Sequence, residues 1–468
     1  MTRRKSLTLS GMLLVLFFSG CSGPQSGYEP ARRELPAGYT GAFALRAPDE
    51  PAEPGLPELT ESSGLSDYLA YAALNNPGLE AAFNRWKAAL EEVPQVKALP
   101  DPRFNYRYFI QEVETRTGPQ RQSFGISQVF PWFGKLNLRG DVAAAAAGAA
   151  QKRYEAVKLK LFFEVKDAYY EYYYLAKSIA ITKDNMTLLE HLEGVARSRY
   201  KAAAASHPDV IRAQVELGKL EDRYLSLVDL KQPTVARLNA ALNRPIDAHI
   251  PAPAEIRIEQ VEVADAKLLA RLVQANPQLQ AIDFEIARQQ RSIELAKKDY
   301  YPDVTLGVSV IDTDESIVGR PKDDGKDPVV ASVSVNLPIW SRKYSAGVRQ
   351  ARARYNAARR DRTETANSLS RQLKTALYRF RDGERKIGLY RDTLLPKAEE
   401  ALKVTEADFR AAKGTFTDLV DAQRILLEFG LSLERAFADR SQALARLEML
   451  VGSQIAPVGN KSSRLDVR

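Results

Sequence analysis

The chain is written twice. Asn76-Pro77 recurs as Asn276-Pro277, 200 residues on. Asp101-Pro102-Arg103-Phe104 recurs as Tyr301-Pro302-Asp303-Val304 at the same offset, and Pro131 recurs as Pro338. The segment Tyr200 to Gln214 then runs without a gap against Phe409 to Gln423, 209 residues on. An offset that drifts by only nine residues reflects small loop insertions in a duplicated architecture. A period this long excludes a short-repeat solenoid. It requires one large unit built twice, with internal pseudo-symmetry, which we place at 62–255 and 256–452 with a tail at 453–468.

The N-terminus precedes this frame. Arg3, Arg4 and Lys5 are followed by an apolar run from Leu13 to Phe18, then by Ser19, Gly20 and Cys21. Charged start, apolar middle and small residues before a cut form a secretory signal over 1–20. Cys21, the one cysteine of the chain, directly after small residues resembles the bacterial lipobox, which implies a lipidated N-terminus. A plain signal peptide with an incidental cysteine is the alternative. With Cys21 acylated, no thiol remains for redox chemistry or disulfides. Residues 21–61 hold seven prolines, from Pro24 to Pro57, and read as an extended tether. The net charge of +8 includes the three basic residues of the signal, so the remainder is too weak a bias to argue for a nucleic-acid partner.

Within each unit the hydrophobic period changes. Helices are expected from Leu65 to about Asn75 and from about Leu79 to Ala98. Period two follows. Phe104, Tyr106 and Tyr108 alternate with Asn105 and Arg107, and Phe124 and Ile126 with Gly125 and Ser127. In the second unit Val304, Leu306, Val308 and Val310 alternate with Thr305, Gly307 and Ser309, and Val333, Val335 and Leu337 with Ser332, Ser334 and Asn336. These patterns predict two hairpins with loops near 111–121 and 311–328. Strands of about nine residues match a tilted membrane crossing. One face is apolar and the other small and polar, as a barrel with a watery lumen requires. A soluble hairpin with one face on a core would show the same alternation.

The next segment decides between them. No proline occurs from Val142 to Ala203, which predicts a helix of roughly 90 Å. Phe162, Val165, Tyr169, Tyr172, Ala176 and Ile179 step by three and four, a coiled-coil seam. Leu373, Ala376, Phe380, Ile387, Tyr390 and Leu394 keep the same rhythm, with Gly383 at the missing step. Pro396 should bend or break the second long helix. Ser206-x-x-Asp209 and Thr415-x-x-Asp418 fit the capping box that starts a new helix. Returning helices should reach about Leu242 and Val451. Each unit therefore reads as helix, hairpin, very long helix, tight turn, long helix back.

That order, with Ser127-Gln-Val-Phe-Pro-Trp-Phe-Gly-Lys135 after the first hairpin, resembles the TolC family of outer-membrane efflux proteins. Arg199-Tyr200 through Asp209 to Leu217, with Leu238-Asn239 before Arg244-Pro245, resembles its CzcC-like branch. The resemblance covers about residues 62–452. It implies a mainly α protein with a small β part. It also implies a homotrimer, whose twelve-stranded outer-membrane β-barrel continues into a periplasmic α-helical barrel. Outer-membrane lipid, a periplasmic adaptor (membrane fusion) protein and an inner-membrane pump of the RND type are the partners implied. The lipid-facing set would be Phe104, Tyr106, Tyr108, Val304, Leu306, Val308, Val310, Val333 and Val335. Asp418 and Asp421 would form acidic rings at a periplasmic gate, with Arg212 or Arg424 holding the carboxylates. Ala204, Ala205, Ser206, Lys413, Gly414 and Thr415 would form the tips that meet the adaptor.

Other candidates are plainer. Asp418 also fits a first-turn capping carboxylate favoured by the helix dipole, and its equivalent Asp209 fits a cap alone. His191, His207 and His249 are scattered without ligand spacing, and Met186 and Met449 stand apart. No catalytic site, cofactor or metal site is expected. Tyr169, Tyr170, Tyr172, Tyr173 and Tyr174 read as packing with hydroxyls at a wet seam. Trp132, Phe133 and Trp340 read as interfacial aromatics. An outer-membrane conduit of a tripartite efflux pump is the leading reading. The same fold serving as the duct of a type I protein secretion system is the near alternative, and a lipidated periplasmic coiled-coil scaffold without a pore is the distant one.

Overall fold

The computed structural model describes residues 59–456 apart from 61, 203–205, 254, 257–259, 262 and 412. The signal, Cys21, most of the tether, Ala204, Ala205 and the tail beyond 456 lie outside the described residues. The first unit holds α1 (Leu65–Asn75), α2 (Pro77–Lys97), β1 (Arg103–Val113), β2 (Gln120–Phe130), α3 (Lys135–Lys201), α4 (His207–Asp229) and α5 (Lys231–Leu242). The second holds α6 (Asp265–Ala275), α7 (Pro277–Lys298), β3 (Val304–Thr313), β4 (Val329–Val335), α8 (Ser341–Leu389), a π turn (Tyr390–Leu394), α9 (Leu395–Arg410) and α10 (Phe416–Val451).

The repeated Asn-Pro motif does the same job in both units. Asn76 caps α2 by accepting from the Leu79 amide at 3.0 Å, while its own amide donates to the Ala241 carbonyl of α5 at 3.1 Å. Asn276 caps α7 from Gln278 at 2.9 Å and donates to the Leu450 carbonyl of α10 at 2.8 Å. The proline sits at the first helical turn, where its missing N–H costs nothing. One side chain thus starts a helix and ties off the end of the returning one. Those returning helices end on equivalent left-handed residues, Asn243 (φ 55°) and Gly452 (φ 80°).

The four strands form one antiparallel sheet in the order β1-β2-β3-β4. The two hairpins join where Gln128 faces Leu306, Ile126 faces Val308 and Phe124 faces Val310. The register carries one apolar face across the whole sheet: Tyr106 meets Phe124, Phe124 meets Val310, and Val310 meets Val329. This face is the uncovered one. Phe104 is 70% exposed, Tyr108 67%, Ile110 93% and Val333 72%. The small polar face is the crowded one. A Cβ on Gly125 would lie 3.1 Å from the Ser309 Cβ, and one on Gly307 would lie 2.7 Å from the Ser332 Oγ. A soluble sheet turns its apolar face to a core, so this sheet is inside out for water. The strands have 11, 11, 10 and 7 residues, and β4 ends at Val335. Leu337, expected in the alternation, lies past the strand; Asn336 is still tied to Asp303, donating its amide to the Asp303 carbonyl at 3.3 Å and accepting from the Asp303 amide through its side chain.

Helix α3 begins at Lys135, earlier than the sequence suggested, and spans 67 residues, about 100 Å. Gly134, at φ 84°, makes the turn that starts it. In its seam Phe162, Val165, Tyr169 and Tyr172 are buried, and Ala176 and Ile179 half-buried. In α8, Leu373, Ala376 and Phe380 are buried with Leu447 and Leu450 of α10 and Leu268 and Leu272 of α6, and Ile387 is buried in a separate cluster with Leu433 and Ala436 of α10. Gly383 fills the missing step because nothing larger fits. A Cβ there would sit 2.9 Å from the Arg440 Cβ and 3.1 Å from its Cα.

One expectation is refined and one corrected. The second long helix is interrupted just before Pro396, as expected, but the path does not end there. The interruption is a π turn that carries Asp392, the residue whose carbonyl the proline would otherwise crowd, so the helical path continues through α9. The first returning helix, expected to be continuous, is interrupted at Leu230 between α4 and α5. Pro233 in the first turn of α5 supplies no N–H to the Asp229 carbonyl; its equivalent in the unbroken α10 is Gln442.

Gly383→Val should therefore force α8 and α10 apart. Overpacking of this kind costs about 1–3 kcal/mol. A lower thermal midpoint of the purified protein is the expected result; an unchanged midpoint would show that the helices can separate freely there.

Candidate functional site

The end of the helices far from the sheet is where the two units meet. Leu192, Ala196, Val210 and Ala213 of the first unit share one buried cluster with Leu402, Phe409, Phe416, Leu419 and Val420 of the second. Phe409 and Phe416 meet edge to face at 5.5 Å, and the Arg199 guanidinium lies 4.6 Å over the Phe409 ring. Both capping boxes form. The Ser206 hydroxyl donates to Asp209 at 2.8 Å, and the Thr415 hydroxyl donates to Asp418 at 2.6 Å. The Asp418 amide donates back to the Thr415 Oγ1 at 3.2 Å. The Asp418 carboxyl is held below its ordinary value by the Thr415 hydroxyl and amide. Lys413 and Gly414 close the turn by donating their amides to the Asp408 carbonyl at 2.8 and 3.2 Å.

The structure brings together part of the expected gate set. Asp421, with its side chain 55% exposed, pairs with Arg424 at 3.2 Å. Arg424 also reaches Glu216 of α4 at 3.1 Å. Arg212, the other arginine expected beside Asp421, donates instead to the Thr417 hydroxyl. Glu216 was not singled out in the sequence. Besides Lys219, three residues on in α4, its partner is Arg424 on a different helix, a pairing that no spacing within α4 could have pointed to.

At the opposite end, Lys135 is buried and links the units under the sheet. Its Nζ pairs with Asp303 at 2.8 Å and donates to the Tyr301 carbonyl at 3.1 Å, while the Trp132 amide donates to the same Asp303 oxygen at 2.8 Å. Burial would raise the Asp303 pKa, but these donors outweigh it and hold the carboxyl below its ordinary value. Trp132 stacks on Tyr301 at 5.4 Å and is half-buried, so it braces this junction. Phe133 and Trp340 are 84% and 69% exposed.

The tyrosine run packs. Tyr169 meets Tyr68 edge to face at 5.4 Å, Tyr172 donates to the Ile250 carbonyl at 3.0 Å, and Tyr173 donates to Glu434 at 2.8 Å. The histidines are not brought together. His191 lies beside Glu406 and Arg410, whereas His207 rests on Tyr200. Among the described residues no three His, Cys, Asp or Glu side chains are grouped to share an ion.

A duplicated subunit with an uncovered apolar sheet at one end and helices of about 100 Å below it is an outer-membrane channel protein whose helices extend into the periplasm. The chain belongs to the outer membrane efflux protein family, whose model matches twice, at residues 69–244 and 268–453. The cobalt-zinc-cadmium resistance protein CzcC of Cupriavidus metallidurans is 22% identical over 82% of this chain and 88% of its own. Nodulation protein T of Rhizobium leguminosarum bv. trifolii is 22% identical over 95% of this chain and 96% of its own. Two solved structures share the fold. The outer membrane protein VceC of Vibrio cholerae has a TM-score of 0.69 at 17% identity, over 84% of this chain and 97% of its own. The channel protein CusC has a TM-score of 0.71 at 13% identity, over 87% and 99%.

Thr415→Ala should fray the first turn of α10, at a local cost of about 0.5–2 kcal/mol. Hydrogen exchange at the amides of 416–419 would report it. Because the folded pKa of Asp418 is lowered, its contribution is complete above the unfolded value of about 3.9 and is lost as pH falls through the folded one. Exchange at the tip should therefore rise below about pH 4 in the wild type, and less so in Asp418→Asn.

Proposed function

We propose that three copies of this chain close into a passive efflux conduit. A periplasmic adaptor would link it to an inner-membrane pump, of the RND type by family resemblance. The observation that carries this reading is the open four-stranded sheet with its apolar face uncovered. Outer-membrane barrels need at least eight strands, so one copy cannot close. Three copies supply twelve. The outward residues Phe104, Tyr106, Tyr108, Leu306, Val308, Val310, Val333 and Val335, with half-buried Val304 at the rim, would meet lipid. Lipidation of Cys21 would add an anchor, which intact mass of the mature protein would reveal. The exposed alternation also argues against a pore-less periplasmic scaffold, which has no use for it.

The test is a planar bilayer with purified protein. Stable trimers and unitary conductance steps are expected, and a protein that neither trimerises nor conducts would refute the reading. Strand phase is tested alongside. Leu306→Lys places a charge in lipid at about 2–4 kcal/mol near the midplane, whereas Ser309→Lys faces the lumen. Folded trimer should be depleted by the first substitution and retained by the second. Equal yields would reverse or abolish the assignment.

At the tip, Asp421 would contribute to the closed gate, with Arg424 shared between it and Glu216. Asp418 would be the capping carboxylate within the same mouth. Ser206, Lys413, Gly414 and Thr415, with Ala204 and Ala205 between the helices, would meet the adaptor. Asp421→Ala should raise single-channel conductance without partners and weaken cation preference, since a ring of negative charge is removed. Conductance and selectivity equal to the wild type would leave Asp421 a solvated helix carboxylate.

A further inference from the structure

Comparing equivalent positions of the two units exposes an unbalanced charge. Arg237 of α5 and Arg446 of α10 are 209 apart and equivalent, as are Leu238 and Leu447 beside them, both fully buried. In the first unit Arg237 is neutralised by Asp167 of α3. The long-helix offset of 208 makes Thr375 of α8 the equivalent of Asp167. Arg446 therefore meets a threonine where its counterpart meets a carboxylate. Among the described residues it pairs with no acid. It donates to the Gln372 side-chain oxygen at 2.6 Å and lies 5.0 Å over the Phe163 ring.

Arg446 lies in a groove of about 720 Å³ that runs over α10, between α3 and α8. Arg371 and Arg379 of α8 line the same groove and have no acid partner among the described residues. Every acid on its wall is already taken. Asp167 pairs with Arg237, Asp382 with Lys386 at 2.8 Å and Arg385 at 2.5 Å, and Asp439 with Arg435 at 2.6 Å. Three guanidinium groups are left facing one space. Burial pushes the Arg446 guanidinium below its ordinary value, opposed by Asp167 and reinforced by the like charge of Arg379. A bound anion would relieve that repulsion.

We propose that this groove is a binding site for a multiply charged oxyanion, held by Arg446, Arg379 and Arg371. Guanidinium forks match carboxylate and phosphate oxygens in geometry as well as charge. The groove belongs to one copy, since α3, α8 and α10 all come from the same chain. It lies on the side of α8 away from α6, because Leu373 and Leu377, which share a buried cluster with Leu268 and Leu272, lie roughly opposite Arg371, Thr375 and Arg379 on that helix, while Ala376 at the groove's edge belongs to both. On α10, Arg440, Leu444 and Glu448 likewise face Leu65 and Leu69 of α1 across a separate cavity. The short helices thus cover one surface of the wall and the groove opens on the other. If the short helices faced inward they would obstruct the conduit, so the groove lines the lumen. That last step rests on the channel reading above; the site itself does not.

Inorganic pyrophosphate is the probe, titrated calorimetrically into the trimer in detergent at low ionic strength. Saturable binding is expected. Arg446→Gln should weaken it at least tenfold. Thr375→Asp, which supplies the carboxylate present in the first unit, should do the same, whereas the uncharged Thr375→Asn should retain binding. Arg359→Gln, an exposed arginine of α8 outside the groove, should leave it unchanged. No saturable heat, or equal binding by Thr375→Asp and Thr375→Asn, overturns the site. In planar bilayers pyrophosphate should lower the conductance of the wild type and not of Thr375→Asp. Binding by calorimetry without any effect on conductance would leave the site standing and overturn its luminal position.

Discussion

The rest of the structure follows from a sheet that cannot be finished by its own chain. Strands β1 and β4 are edges, and among the described residues no further strand pairs with their outer sides. An edge exposed to water invites aggregation, and one exposed to lipid leaves backbone donors and acceptors with no partner. The apolar face makes lipid the relevant solvent, and in the proposed trimer the edges would be met by other copies. Each copy would then have to arrive already shaped to its share of the curvature. The glycines and serines on the crowded face suit this: Gly125 against Ser309 and Gly307 against Ser332 leave no room for larger side chains there. Below the sheet, Asp303 and Lys135 hold the start of β3 to the start of α3. Removing two charges from water is expensive unless they are paired and hydrogen-bonded. Here the pair also carries the Trp132 amide and the Tyr301 carbonyl, so both the charges and the junction are satisfied together.

Much of this was legible because the elements are periodic. The alternation of Val304 to Val310 and the seam from Phe162 to Ile179 are local signals, and the capping boxes at Ser206 and Thr415 have a local hydrogen-bond logic. The duplication doubled every such signal. What escaped was decided between elements. Nothing local announces that Asn76 and Asn276 reach across to the ends of α5 and α10. Arg424 was legible as a partner for Asp421 because the two lie three apart on one helix. The second partner of Arg424, Glu216, comes from another helix, and so does the threonine that engages Arg212. The outcome at Pro396 was only half legible for a related reason. Proline breaks a regular α-helix, but a preceding π turn removes the steric cause, and no residue pattern in Tyr390–Leu394 advertises that turn. The error came at Pro233, whose effect on α4 and α5 was predictable from its missing N–H and was overlooked in a helix that otherwise kept its period.

The differences between the two units are as informative as their likeness. If the copies close in a ring, the seam between α3 and α10 lies within one chain, and its pseudo-symmetric counterpart, between α8 and α5, falls between chains. The same helical surfaces therefore meet partners under two regimes, one covalently linked and one assembled. Relaxing the equivalence of the units lets each seam be tuned separately. Pro233 interrupts the helix that would form the between-chain seam, while at the matching place α10 runs on unbroken through Gln442, which donates to the Asp167 carbonyl and to Glu171 across the internal seam. The exchange of Asp167 for Thr375 follows the same logic. A carboxylate at 167 closes a charge pair on the first arginine, and a threonine at 375 leaves the second one open to the space in front of it. A strictly repeated sequence could produce neither contrast, because every pairing made in one unit would recur in the other. Duplication supplied the architecture, and divergence at a few helix positions gave its two kinds of seam different chemistry.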